Sequence, residues 1–103
     1  MTDSRLNTLR NWLKGLQPSW QLDLDSLVPA SADASFRRYF RITSKNPGLG
    51  TLIVMDAPPE HEPLDDFIKV DLLLSKAGLN VPKILEQNIA EGFLLLNDLG
   101  NKT

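Results

Sequence analysis

The stretch Phe36-Arg37-Arg38-Tyr39-Phe40-Arg41-Ile42 constrains the fold more than any other part of the chain, because it alternates residue by residue. Successive side chains of an extended strand point to opposite faces. Phe36, Arg38, Phe40 and Ile42 therefore share one face, and Arg37, Tyr39 and Arg41 share the other. The residues just before it, Ser31-Ala32-Asp33-Ala34-Ser35, are small and polar, a composition that turns tightly. A tight turn feeding a strand with three guanidinium groups has two readings. It is the solvated face of an antiparallel sheet, or it is an anion grip, in which turn N–H groups and arginine forks meet a phosphate.

The remaining sequence supplies partners for that strand. Leu6, Leu9, Leu13 and Leu16 recur at helical spacing; Thr2, Asp3 or Ser4 can cap the start, and Gly15 and Pro18 mark the end. This predicts an amphipathic packing helix of about three turns with no chemistry of its own. A first strand lies within residues 22–30, interrupted or ended by Pro29. Lys45-Asn46-Pro47-Gly48-Leu49-Gly50 is a turn, and the β-branched run at 51–55 returns from it to close a hairpin. Residues 56–63 contain Pro58, Pro59 and Pro63 and read as a stiff, exposed connection, with Pro63 suited to the first turn of a helix.

Leu64, Phe67, Ile68, Leu72, Leu74 and Ala77 follow the helical period, and Gly78 is a natural stop. Asp65 and Asp66 fall at the positive end of that helix dipole and Lys76 at the negative end. Two more strands, at 83–89 and 92–96, flank a turn at Ala90-Glu91-Gly92, and a polar segment follows from Asn97.

Composition removes several function classes. At 103 residues the chain is read as a single domain, 1–103. It has no cysteine, so disulfides and thiolate metal sites are excluded. Its one histidine, His61, stands between Glu60 and Glu62 and reads as a solvated loop residue, so no residue is a convincing metal ligand. A net charge of −2 argues against a nucleic-acid partner. The apolar run Phe93-Leu94-Leu95-Leu96 is far short of the ~20 residues a membrane span needs. No apolar stretch follows Met1-Thr2-Asp3-Ser4-Arg5, so no signal peptide and no membrane partner are expected, and the location is read as cytoplasmic.

The order helix, strand, tight turn, strand, turn, strand, connection, helix, strand, strand resembles the small lobe of protein-kinase-like folds. At the residue level the sequence is similar to the aminoglycoside phosphotransferase and choline kinase branch. Within that branch it resembles the bacterial kinases that phosphorylate the anomeric hydroxyl of N-acetylmuramate and N-acetylglucosamine in cell-wall recycling. The residues that carry the likeness are 31–41, Val54-Met55-Asp56-Ala57-Pro58-Pro59-Glu60, and Leu94-Leu95-Leu96-Asn97-Asp98-Leu99-Gly100.

The resemblance implies an α+β fold, a five-stranded antiparallel sheet with one bracing helix plus an N-terminal helix. It implies ATP as cofactor, Mg carried in with the ATP, and a small-molecule sugar as second substrate. Ser31, Ala32, Asp33, Ala34 and Ser35 would cover the phosphates, with Asp33 bonded into its own turn. Asn97, Asp98 and Leu99 would form a hinge offering backbone groups to adenine, with Val28, Ile53 and Leu96 sandwiching the purine. The third strand reads Ile53-Val54-Met55-Asp56 where such kinases carry a phosphate-binding lysine; Arg37 or Arg41 would take its place. The catalytic Asp, metal-binding Asn and metal-binding Asp of the family lie beyond the hinge. The chain is therefore expected to be the nucleotide-binding lobe of a larger enzyme, inactive alone, its catalytic lobe absent.

Two other readings of the same residues are a non-catalytic adaptor that holds an anionic partner on the arginine-bearing sheet face, and RNA binding through Phe36, Tyr39, Phe40 and the arginines. The second has the net charge against it.

Overall fold

The computed structural model describes residues 4–32, 37–58, 60 and 64–98. In sequence order run α1 (Ser4–Trp20), β1 (Leu22–Ala32), β2 (Arg38–Ser44), β3 (Thr51–Asp56), α2 (Leu64–Lys76), β4 (Ile84–Asn88) and β5 (Phe93–Asn97). The five strands form one sheet in the order β1-β2-β3-β5-β4, and each neighbouring pair is antiparallel. The α+β architecture expected from the sequence is the one observed.

The alternation in β2 sorts the molecule into layers. On one face of the sheet Phe40, Ile42, Leu52, Val54, Phe93 and Leu95 pack against Leu9 and Leu13 of α1. On the other, Met55, Leu94 and Leu96 pack with Leu64 of α2, joined by Tyr39, Ile53 and Phe67. β5 is covered on both faces, which is why four consecutive apolar residues, Phe93 to Leu96, are all buried.

α1 runs 17 residues, straight through Gly15 and Pro18. The end expected at those two residues comes too early. Pro18 stands in the last turn, where its missing N–H forfeits one intrahelical bond, and the packing of Leu16 and Trp20 against the core holds that turn in place. The helix ends instead at Gln21, whose φ of 54° is the left-handed conformation of a C-terminal cap. The Ser44 hydroxyl donates to the Trp20 carbonyl at 2.6 Å, and the indole N–H of Trp20 donates to Glu86 at 2.9 Å.

Pro29 does not end β1, which continues to Ala32. β1 is an edge strand, where a residue without an N–H is tolerated, and the ladder is irregular on either side of the proline. Between Asp23 and Val28 the Ser26 hydroxyl bridges the irregularity, accepting from Thr43 N–H at 2.8 Å and donating to the Asp23 carbonyl at 2.6 Å. The 45–50 turn closes as expected, with Asn46 Oδ1 accepting from Gly48 N–H at 3.0 Å and Gly50 at φ 69°.

α2 ends before Gly78, whose φ is 83°. Only its first half braces the sheet. Leu64, Phe67 and Ile68 pack inward and Asp71 continues that face, whereas Leu72 and Leu74, expected to be inward, are exposed with every residue from 72 to 80.

The exposed connection predicted for 56–63 begins later than expected. Asp56 closes β3 fully buried, and Ala57 is buried behind it. Two arginines hold that carboxylate. Arg5 of α1 donates to Oδ1 through Nε at 3.0 Å and also through Nη2. Arg38 of β2 donates to Oδ2 through Nε at 3.1 Å and Nη2 at 2.7 Å. Arg5 also reaches the Glu91 carbonyl at 2.8 Å and lies 4.9 Å from the Phe93 ring centroid. The expectations for Thr2, Asp3, Pro59, His61 and Pro63 lie outside the described residues.

Candidate functional site

The face of the sheet that carries α2 also carries a cleft of about 480 Å³, within the range of small-molecule sites. Its floor comes from four strands: Ala30 of β1, Tyr39 and Arg41 of β2, Ile53 and Met55 of β3, and Leu96 of β5. Phe67 of α2 and Pro82 border it, and Asn97 and Asp98 close one end. The period of two explains the floor. Tyr39 pairs with Met55 and Arg41 with Ile53, while Ile53 pairs with Leu96, so these side chains share one face in two neighbouring rows.

The end formed by residues 97 and 98 is polar and tightly held. Asp98 is buried, and its Oδ2 accepts from Arg41 Nε at 2.7 Å and from Thr51 Oγ1 at 2.8 Å. Asn97 is bound to the segment before β4: its N–H donates to the Lys83 carbonyl at 3.1 Å, and its Oδ1 accepts from Lys83 N–H at 2.5 Å. The strand directions put this end opposite the β1–β2 corner. β1 and β2 meet at Ala32 and Arg38, beside Asp56 at the far end of β3. A ligand lying along the cleft would span from one end toward the other.

Arg37 stands at the corner end. Its guanidinium carbon lies 5.5 Å from the ring centroid of Phe67, a cation–π distance, which places it beside a residue of the cleft. Asp71, one helical turn beyond Phe67, is buried on the same side of α2, and burial pushes its carboxyl above the usual carboxylate range.

The structure thus gathers Arg41, Asn97 and Asp98 in one cleft and sets Arg37 near its other end. Ser31 and Ala32 continue β1, paired with Tyr39 and Arg38, so the corner is narrower than the sequence suggests. Asp33, Ala34, Ser35 and Leu99 lie outside the described residues. Of the apolar residues expected around a ligand, Ile53 and Leu96 line the cleft, whereas Val28 is half exposed and is not part of the lining. Sequence reasoning missed Tyr39, Met55, Phe67, Pro82 and Thr51. The first two were accessible from the same alternation that placed Arg41 and Ile53; the others come together only through the tertiary fold.

Among the described residues no three His, Asp or Glu side chains are grouped to hold a metal ion. Nor is any helix among them long and apolar enough to cross a membrane.

Comparison with known proteins gives the chain a family. The chain is 46% identical over 108 positions to an N-acetylmuramate/N-acetylglucosamine kinase of Pseudomonas aeruginosa, covering 98% of this chain and 31% of that protein. A protein of the same name from Pseudomonas putida is 42% identical, with 98% and 31% covered. One from Neisseria meningitidis serogroup B is 41% identical, with 92% and 26% covered. The chain therefore spans less than a third of the length of the curated relatives it matches. The sequence profile of the phosphotransferase enzyme family matches residues 26–101, from the middle of β1 to beyond the polar end of the cleft, and the chain belongs to that family.

Proposed function

We propose that the chain is the nucleotide-binding lobe of a kinase that moves the γ-phosphoryl group of ATP to the anomeric hydroxyl of a cell-wall amino sugar. One observation carries the reading: an apolar slot with a polar strand-end segment at one end and an arginine near the other, in a chain 46% identical to an N-acetylmuramate/N-acetylglucosamine kinase. Adenine packs against Ile53 and Leu96. Backbone groups of Asp98 and Leu99 read its edge, because the Asn97 N–H is already engaged by Lys83.

The triphosphate runs toward the β1–β2 corner. There the small residues Ser31, Ala32, Asp33, Ala34 and Ser35 supply N–H and hydroxyl donors. Arg37 supplies the cation that β3, with Met55 facing the cleft, does not. Mg carried in with the ATP would neutralise phosphate charge. The groups that activate the sugar hydroxyl and hold the metal, and most of the sugar pocket, belong to the two thirds of the relatives' length that this chain does not span. The enzyme works in the cytoplasm, where ATP is available.

The test is phosphoryl transfer by the full-length protein with Mg-ATP and either N-acetylglucosamine or N-acetylmuramate. The expected result is sugar-dependent ADP release with a phosphorus resonance typical of an anomeric phosphate; the 103 residues alone should show none. A full-length protein that binds Mg-ATP yet phosphorylates neither sugar overturns the substrate assignment. One that binds no nucleotide overturns the whole reading.

A further inference from the structure

Arg41, Thr51 and Asp98 form a latch across three neighbouring strands. Arg41 lies on β2, Thr51 opens β3, and Asp98 follows β5. Both donors converge on a single oxygen, Asp98 Oδ2, at 2.7 and 2.8 Å, and the Asp98 side chain is only 2% exposed. A buried carboxylate held by a charge-assisted bond and a hydroxyl has little torsional freedom. Holding its side chain restrains the backbone of residue 98, which the proposed function sets against the base.

The latch lies away from the phosphate end. Arg41 is three residues along β2 from Arg38, which pairs with Ala32 at the corner, a separation of about 10 Å at ~3.3 Å per residue. Arg41 pairs with Val28 on one side and Ile53 on the other, in the row that continues to Leu96 beside the hinge segment.

We infer that Arg41 is a positioning residue for the nucleobase, acting through Asp98 to set the discrimination between adenine and guanine nucleotides. The inference rests on the nucleotide-lobe reading and deepens it. The physical reason lies in the purine edges. Adenine presents an exocyclic amine donor beside a ring nitrogen acceptor, and guanine presents a carbonyl acceptor beside a ring N–H donor. A rigid pair of backbone carbonyl and N–H groups satisfies one pattern and leaves the other unpaired, which is costly in a desolvated site. A loosened segment turns to suit either base, so losing the latch costs selectivity before it costs binding.

The experiment measures dissociation constants of Mg-ATP, Mg-GTP and adenosine in the full-length protein. The variants are Arg41→Ala, Arg41→Lys, Thr51→Val and Arg37→Ala. Arg41→Ala should lower the ratio of ATP to GTP affinity on the order of tenfold, the scale of one charge-assisted hydrogen bond. It should weaken adenosine about as much as ATP. Arg41→Lys, which keeps a cation opposite Asp98, should recover part of the ratio, and Thr51→Val should shift it in the same direction by less. Arg37→Ala should weaken ATP, spare adenosine and leave the ratio alone.

An unchanged ratio in Arg41→Ala, with ATP and GTP weakened equally, overturns the inference, because a general effect on folding or on phosphate binding behaves that way. Should Arg41→Ala fail to fold, an unchanged ratio in both Arg41→Lys and Thr51→Val overturns it equally. A wild-type protein that binds nucleotides without base preference also overturns it while sparing the lobe assignment. A wild-type protein that binds no nucleotide removes both.

Discussion

Asp71 is a carboxylate buried on the inward face of α2, in line with Leu64, Phe67 and Ile68, and burial raises its pKa above the ordinary value. The folded protein therefore holds this proton more tightly than the unfolded one does. Stability falls as pH rises from the ordinary carboxylate value through the raised one. Asp71→Asn removes the charge at nearly constant volume. It should raise Tm at pH 7, and the gain should vanish below about pH 3, where both states of the wild type are protonated. Thermal melts at the two pH values decide it; a gain of equal size at both would assign the effect to packing. The same residue shows what periodicity leaves out. Its position on the inward stripe was accessible from helical spacing, but only the fold buries an acid there.

At the scale of elements, α1 is held by its tertiary contacts more than by its composition. Gly15 sits inside the helix with open space around the position a methyl group would take. Gly15→Ala should therefore stabilise the protein by about 0.5–1 kcal/mol, the difference in helix propensity and unfolded-state freedom. The measurement is a rise in urea midpoint with an unchanged m-value. The helix-breaking signals at Gly15 and Pro18 are real at the local level, and packing of Leu16 and Trp20 overrides them. For α2 the error runs the other way. The apolar spacing at Leu72 and Leu74 continues past the part of the helix that meets the sheet, and the side chains there are exposed.

Across the whole molecule, the Asp56 carboxylate joins α1, β2 and β3 by taking Arg5 on one oxygen and Arg38 on the other. Both arginines keep roughly a third of their side-chain surface in water, which screens each pair; the carboxylate itself is fully buried. Asp56→Asn should cost about 2–4 kcal/mol, below the upper range for breaking a fully buried pair. Arg5→Ala should cost less, because Arg38 still pairs the carboxylate. Denaturant unfolding followed by tryptophan fluorescence checks both, since Trp12 lies 5.5 Å from Phe93 in the layer Arg5 helps to anchor.

By itself the sequence determined the number and order of the strands, the two helices and the sorting of β2 into two faces. These follow from local periodicity and turn chemistry, which act over a few residues. Through family likeness it also singled out Arg41, Asn97 and Asp98 as candidates for the site. Only the tertiary structure decided that Arg41 and Thr51 share one oxygen of Asp98, that Asp56 is buried between two arginines, and that α2 braces the sheet with half its length. Each depends on which strands become neighbours and how far a helix overlaps them. Such pairings, formed between residues far apart in the sequence, leave no periodic trace along it.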